Sequence, residues 1–156
     1  MEKELLYKVA YDEAVRALSE QQAEIDSFRT RGGMLLSAAA ITTSFLGAQS
    51  LQDGNSNLPA WLALMAFGGV AALSLALLWP YVWQVTLDPL EVVAVYVKSE
   101  HPAAGEALHR ELIQHMHAGY LRNREGLDLL AVLFQIASGL LALEIALWMV
   151  AIATTA

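Results

Sequence analysis

The sequence predicts an all-α integral membrane protein with three transmembrane helices and a cytoplasmic helical region. Three observations lead there. The chain of 156 residues is 56% hydrophobic and only 16% charged, with a mean hydropathy of +0.44, whereas soluble domains run near 25% charged. The charges cluster: residues 1–31 hold five bases and seven acids, and residues 88–126 hold four bases and six acids. Outside these zones lie three apolar stretches, each near the roughly 20 residues that a helix needs to cross ~30 Å of hydrocarbon. The formal net charge of −7 leaves no basic field for nucleic acid. The absence of cysteine excludes disulfides, thiolate metal sites and a cysteine nucleophile. The charged opening stretch does not read as a signal peptide.

Residues 1–31 read as a cytoplasmic amphipathic helix. Tyr7, Tyr11, Ala14, Leu18, Gln21, Ile25 and Phe28 recur in alternating steps of four and three, a heptad-like seam that is polar at Gln21. No Pro or Gly interrupts residues 1–31, so the helix is expected to run into the first span, with a break at most near Gly32 and Gly33. Fifty helical residues make a rod of roughly 75 Å, about half of it outside the bilayer. Its exposed stripe calls for a partner, either the middle segment or another subunit.

The first span is placed at 33–51 (GMLLSAAAITTSFLGAQSL). It is the least apolar of the three. Ser37, Thr42, Thr43 and Ser44 are expected to return their hydroxyls to carbonyls one turn back, which makes them tolerable in lipid. The second span is placed at 60–82, with Gly68 and Gly69 beside Ala72 and Ala76 as a close-packing surface. Trp61, Trp79, Tyr81 and Trp83 fit two aromatic belts, and Pro80 is expected to kink the inner end.

The middle segment, 88–126, opens at Asp88 and Pro89, a helix cap followed by Pro at the first helical position. Leu90, Val93, Ala94 and Val97 mark one face, and 99–105 reads as a turn. A second helix is expected from about Glu106, with Leu108, Leu112, His115, Met116 and Tyr120 on its apolar side. It is expected to continue into the third span, 127–149. Asp128, at the mouth of that span, is expected to pair with Arg124 or Arg31. Glu144 lies 20 positions past Arg124, about 30 Å along a helix, and reads as a carboxylate reaching the outer interface beside an interfacial Trp148. The other reading is a pore or subunit contact.

Orientation follows from the bases. All nine Lys and Arg lie before Gly32 or between Lys98 and Arg124. The positive-inside rule puts the N-terminus and the middle segment in the cytoplasm, and the short loop near 52–59 and the C-terminus outside.

Catalytic signals are missing. There is no HExxH, no GxSxG and no Gly-rich phosphate loop, so the chain is not expected to be an enzyme. Among the four histidines, His115 and His117 point about 200° apart on a helix. His109 cannot join both, and His101 falls in the turn, so no metal site is expected. The candidate ligand-binding residues are Arg29, Arg31, Arg122, Asn123 and Arg124, in a polar rim with Asp26 and Asp128. Arginine forks suit a phosphate, although a rim of snorkelling arginines also anchors membrane proteins generally. Tyr7, Tyr11, Phe28, Tyr96 and Tyr120 can stack a base or simply pack the seam. Ser37, Ala38, Ala40, Gly47, Gly68, Ala72 and Gly139 offer small-residue faces for self-association.

Residues 24–47, EIDSFRTRGGMLLSAAAITTSFLG, resemble the small membrane effectors of the bacterial Pycsar anti-phage systems, the PycTM type. The resemblance rests on a charged helix that feeds the first span through Asp26, Arg29, Arg31, Gly32 and Gly33. It extends to the cytoplasmic helical stretch between spans two and three and to the run at 123–148, where Asn123 matches a polar position. It implies an effector that senses cUMP or cCMP, made by a dedicated pyrimidine nucleotide cyclase, and impairs the inner membrane so that the infected cell dies or stops growing. It carries over no catalytic residue, no cofactor beyond that cyclic nucleotide and no nucleotide contacts. The partners implied are the lipid bilayer, further copies of the chain and, functionally, the cyclase. Two other classes stand beside it: a membrane anchor whose cytoplasmic helices recruit a partner, and a channel or transporter subunit, which would normally show more spans and a midplane polar site.

Overall fold

A computed structural model describes residues 2–50, 58–80 and 105–155. Among these residues all regular structure is helical, in three helices: α1 (Glu2–Ser50), α2 (Leu58–Leu78) and α3 (Gly105–Thr155). Two of them, α2 and the stretch Arg110–Thr154 of α3, are long and apolar enough to cross a membrane. The cap at Asp88 and Pro89, the face over 90–97, the turn at 99–105, Asp53, Tyr81, Trp83, Tyr96 and His101 lie outside the described residues, as do the side chains of Leu108 and His109.

The helix boundaries follow from the residues that set them. α1 runs unbroken for 49 residues through Gly32 and Gly33, so the interruption considered there does not occur. α2 carries Pro59 in its first turn, where a missing N–H removes no helical bond. It ends at Leu78, two residues before Pro80, with the Trp79 amide closing back on the Ala76 carbonyl at 3.3 Å. Pro80 therefore follows a helix stop and does not kink a continuing helix. α3 starts at Gly105, close to the expected start near Glu106.

The chain divides into two compact units, one from Met1–Ile25 and Tyr81–Leu127, the other from Asp26–Pro80 and Asp128–Ala156. In the first, Leu18, Gln21 and Ile25 of α1 and Met116, Asn123 and Leu127 of α3 are buried, while Tyr7, Tyr11, Ala14 and Tyr120 are half-buried. The seam predicted for α1 is thus the buried one. On α3, His115 is exposed, and the inward positions are 116, 120, 123 and 127, again in steps of four and three.

In the second unit the α1 and α3 segments run parallel. Phe28 meets Phe134 edge-on at 6.1 Å, and Thr43 reaches Glu144 near the other end. α2 runs antiparallel to them: Leu77 faces Gly32, and Ala60 and Ala63 cluster with Trp148 and Ala151. The buried stripe of α2 is Ala60, Ala63, Ala66, Val70, Ser74 and Leu77. Gly69 packs against Leu140 as its neighbourhood suggested, but Gly68 has nothing within 4 Å, and Ala72 and Ala76 are exposed. Large apolar side chains are exposed on all three segments: Met34, Ile41 and Phe45 on α1, Trp61, Met65 and Leu75 on α2, and Leu129, Ile136, Leu143 and Met149 on α3.

Gly32 permits a close approach of α1 to α2. A Cβ there would stand 3.1 Å from the Leu77 Cβ, whereas one at Gly33 would meet nothing within 4 Å. Overpacking of this kind costs about 1–3 kcal/mol. Gly32→Leu is therefore expected to lower thermal stability in detergent by that amount, and Gly33→Leu is expected not to, as followed by circular dichroism.

Candidate functional site

Two places in the described residues combine a shaped interior with polar atoms. The first is in the unit that contains α2. Glu144 falls at a core position of α3: counting from Leu130 in steps of three and four reaches Phe134, Ala137, Leu141, Glu144, Trp148 and Ala151. Leu130, Ala137, Glu144, Trp148 and Ala151 are all buried, with Glu144 and Trp148 each 0% exposed. Neither residue reaches outward to an interface, as depth along the helix had suggested; both turn into the three-helix packing.

Local hydrogen bonding fixes the arrangement. Ser37 and Ser44 return their hydroxyls to the carbonyls of Gly33 and Ala40, at 3.0 and 2.7 Å, as expected of hydroxyls on an apolar helix. Thr43 instead donates across to Glu144 Oε1 at 2.6 Å, and the Trp148 indole N–H donates to the Thr43 oxygen at 3.3 Å. The indole lies close enough to α1 that a Cβ at Gly47 would stand 3.2 Å from its ring. The other carboxyl oxygen, Oε2, is buried with no hydrogen-bond partner. The described residues of this unit hold no lysine, and its arginines, Arg29 and Arg31, lie 14 and 12 positions before Thr43, about 20 Å along the helix.

The second place is a cleft of about 390 Å³ in the other unit. Ala10, Ala14 and Ala17 of α1 form one wall, and Ile113, Met116, His117 and Tyr120 of α3 form the other, with Glu13 at the side. Alanines at steps of four and three opposite larger residues hold the walls apart, and the volume falls in the range of small-molecule pockets. Below it, the Gln21 side-chain amide donates to the Tyr120 carbonyl at 3.2 Å. Gln21 Oε1 and Asn123 Nδ2 are buried without partners.

The five residues proposed as a ligand rim are distributed over both units. Arg29 pairs with Asp26 one turn back at 3.5 Å, and Arg31 is exposed; both belong to the unit containing α2. Arg122 and Arg124 are exposed in the other unit. Asn123 departs from the expectation, since it is buried in the seam and not on a rim. Asp128 is exposed and forms no ion pair with a base among the described residues. His115 and His117 are both exposed, and only His117 lines the cleft. Among the described residues no three His, Cys, Asp or Glu side chains gather.

Comparison with protein families, with characterised proteins and with solved structures finds no match to this chain.

The Thr43 hydroxyl is the only bridge described between α1 and the buried carboxyl. Leaving a buried acceptor without its donor costs about 1–3 kcal/mol. Thr43→Val, which keeps the shape and removes the hydroxyl, is expected to destabilise the protein by about that much. Thr43→Ser retains the donor and is expected to fall between the two in a thermal unfolding series.

Proposed function

We propose that this chain is a multi-pass protein of the bacterial inner membrane that senses a cyclic pyrimidine mononucleotide, cUMP or cCMP, in its cytoplasmic helices and in response impairs the membrane. This is the abortive-infection role of the Pycsar effectors that its sequence resembles. The observation that supports sensing is the cleft between Ala10, Ala14 and Ala17 and the Met116–Tyr120 face. It lies among the charged residues and is large enough for a small ligand. Tyr120 supplies a surface for a base to stack on, and Glu13 and His117 supply polar groups to read its edge. In this reading the exposed Arg122 and Arg124 attract the phosphate.

Three features support residence in the membrane with three spans. Large apolar side chains face outward on all three helices of the unit that holds α2, Met34, Ile41 and Phe45 of α1 included, and a surface of this kind fits lipid. The exposed Trp61 and Trp79 sit 18 positions apart near the ends of α2, about 27 Å, which matches two interfacial belts. Parallel α1 and α3 segments with an antiparallel α2 are compatible with three crossings, and in this reading the distribution of bases assigns the N-terminus to the cytoplasm and the C-terminus to the outside. Gly68, Ala72 and Ala76 recur every four residues on the outward side of α2, a spacing suited to self-association of spans.

The anchor reading has one observation of its own. Leu5, Leu6 and Val9 are more than half exposed on α1, beyond the apolar stretches, where a partner helix would cover them.

Calorimetry on the detergent-solubilised protein tests the sensing role. cUMP or cCMP is expected to bind, and Tyr120→Ala is expected to weaken binding by about tenfold, since stacking of a base contributes about 1–3 kcal/mol. Absence of binding by both nucleotides removes the effector reading and leaves the anchor. Reporters fused at Met1 and at Ala156 are expected on opposite sides of the membrane; appearance on one side overturns the three-span arrangement.

A further inference from the structure

Glu144 has no role in the sensing cleft, and its surroundings are incomplete. Its side chain is 0% exposed. One oxygen is held by Thr43 at 2.6 Å, and the other is buried with no partner. Each element around it fails to supply a positive charge. α1 presents Thr43, with Gly47 against the neighbouring Trp148. α2 has no titratable residue over its length. From position 128 onward, the described part of α3 holds only Asp128 besides Glu144, 16 positions away. The remaining titratable groups described in this unit, Asp26, Arg29 and Arg31, stand at the start of its α1 segment.

A carboxyl group buried without a counter-charge is costly unless a positive species accompanies it. The orphan oxygen shows where that species would sit. No second carboxylate or imidazole gathers here among the described residues, so the donor set does not match a zinc, calcium or magnesium site, which takes several such ligands. One free carboxyl oxygen, with the threonine hydroxyl already committed to the other, matches a proton, which needs a single ligand atom.

We propose that Glu144 is a proton-binding site, with the proton carried at Oε2 inside the three-helix unit and the Thr43 hydroxyl, itself held by the Trp148 indole N–H, fixing the other oxygen. The site lies apart from the cleft, and the proposal does not rest on nucleotide sensing. Intramembrane carboxyls in such settings mark ion and proton sites.

Two measurements on the full-length protein test it. In proteoliposomes, dicyclohexylcarbodiimide, which enters lipid and reacts with protonated carboxyls, is added over a series of pH values in sodium chloride or choline chloride, and adducts are located by mass spectrometry. The expected result is an adduct on Glu144. Labelling is expected to be equal in the two salts and to fall as pH rises; labelling that sodium suppresses several-fold overturns the assignment of a proton. In parallel, thermal unfolding is followed across the same pH series. A ligand that the folded state binds more tightly shifts the midpoint with its concentration, so the wild type is expected to shift with pH and Glu144→Gln, which keeps shape but loses the site, to lose that shift. Wild-type midpoints that do not respond to pH, together with an unlabelled Glu144, overturn the proposal. So do midpoints of Glu144→Gln that follow those of the wild type. If Glu144→Gln fails to fold, the labelling and midpoint series on the wild type decide alone.

Discussion

The packing of α2 against its neighbours depends on residues too small to hold the helices apart. Gly32 lies under Leu77, Gly69 under Leu140 and Gly47 under the Trp148 ring, while Ala39, Ala63 and Ala137 are fully buried. Backbones that approach this closely gain van der Waals contact along the whole interface, which contributes to the association of the helices. Close approach also brings Thr43 within reach of Glu144, because a threonine side chain is short. The polar cluster and the small-residue contacts are thus one arrangement: the same glycine that admits the indole ring lets its N–H reach the threonine oxygen.

Parallel helices cannot be joined by a short turn, and α2 provides a return path between the α1 and α3 segments of its unit. It packs by its small side and leaves Trp61, Met65 and Leu75 outward. Within each unit taken by itself, the inward positions of α1 and α3 follow steps of three and four.

Much of this could be read from the sequence. The seam at Leu18, Gln21 and Ile25, the unbroken run of α1 and the helical start near Glu106 follow from periodicity and from the absence of Pro and Gly. The candidate site was less legible. Depth along a helix puts Glu144 near an interface but says nothing of direction; the three-four repeat from Leu130 to Trp148 turns it inward. Asn123 neighbours Arg122 and Arg124 in sequence, but adjacent residues on a helix point about 100° apart. The choice of Gly69 over Gly68, and of the stripe from Ala60 to Leu77 over Ala72 and Ala76, depends on which helices surround α2. A chain rich in small residues on every side does not disclose that. The cleft required both walls at once, since three alanines leave a void only when their counterparts do not fill it.

Gln21 and Asn123 place two amides within an otherwise apolar seam, and their remaining buried atoms are complementary, an acceptor on one and a donor on the other. Shifting one strand of this pair by a heptad would set Gln21 against Ile113 or Leu127 and strand those amides in hydrocarbon. The two helices are therefore keyed to a single alignment. Any rearrangement of this unit is cheaper as a parting of its walls than as a slide of one past the other.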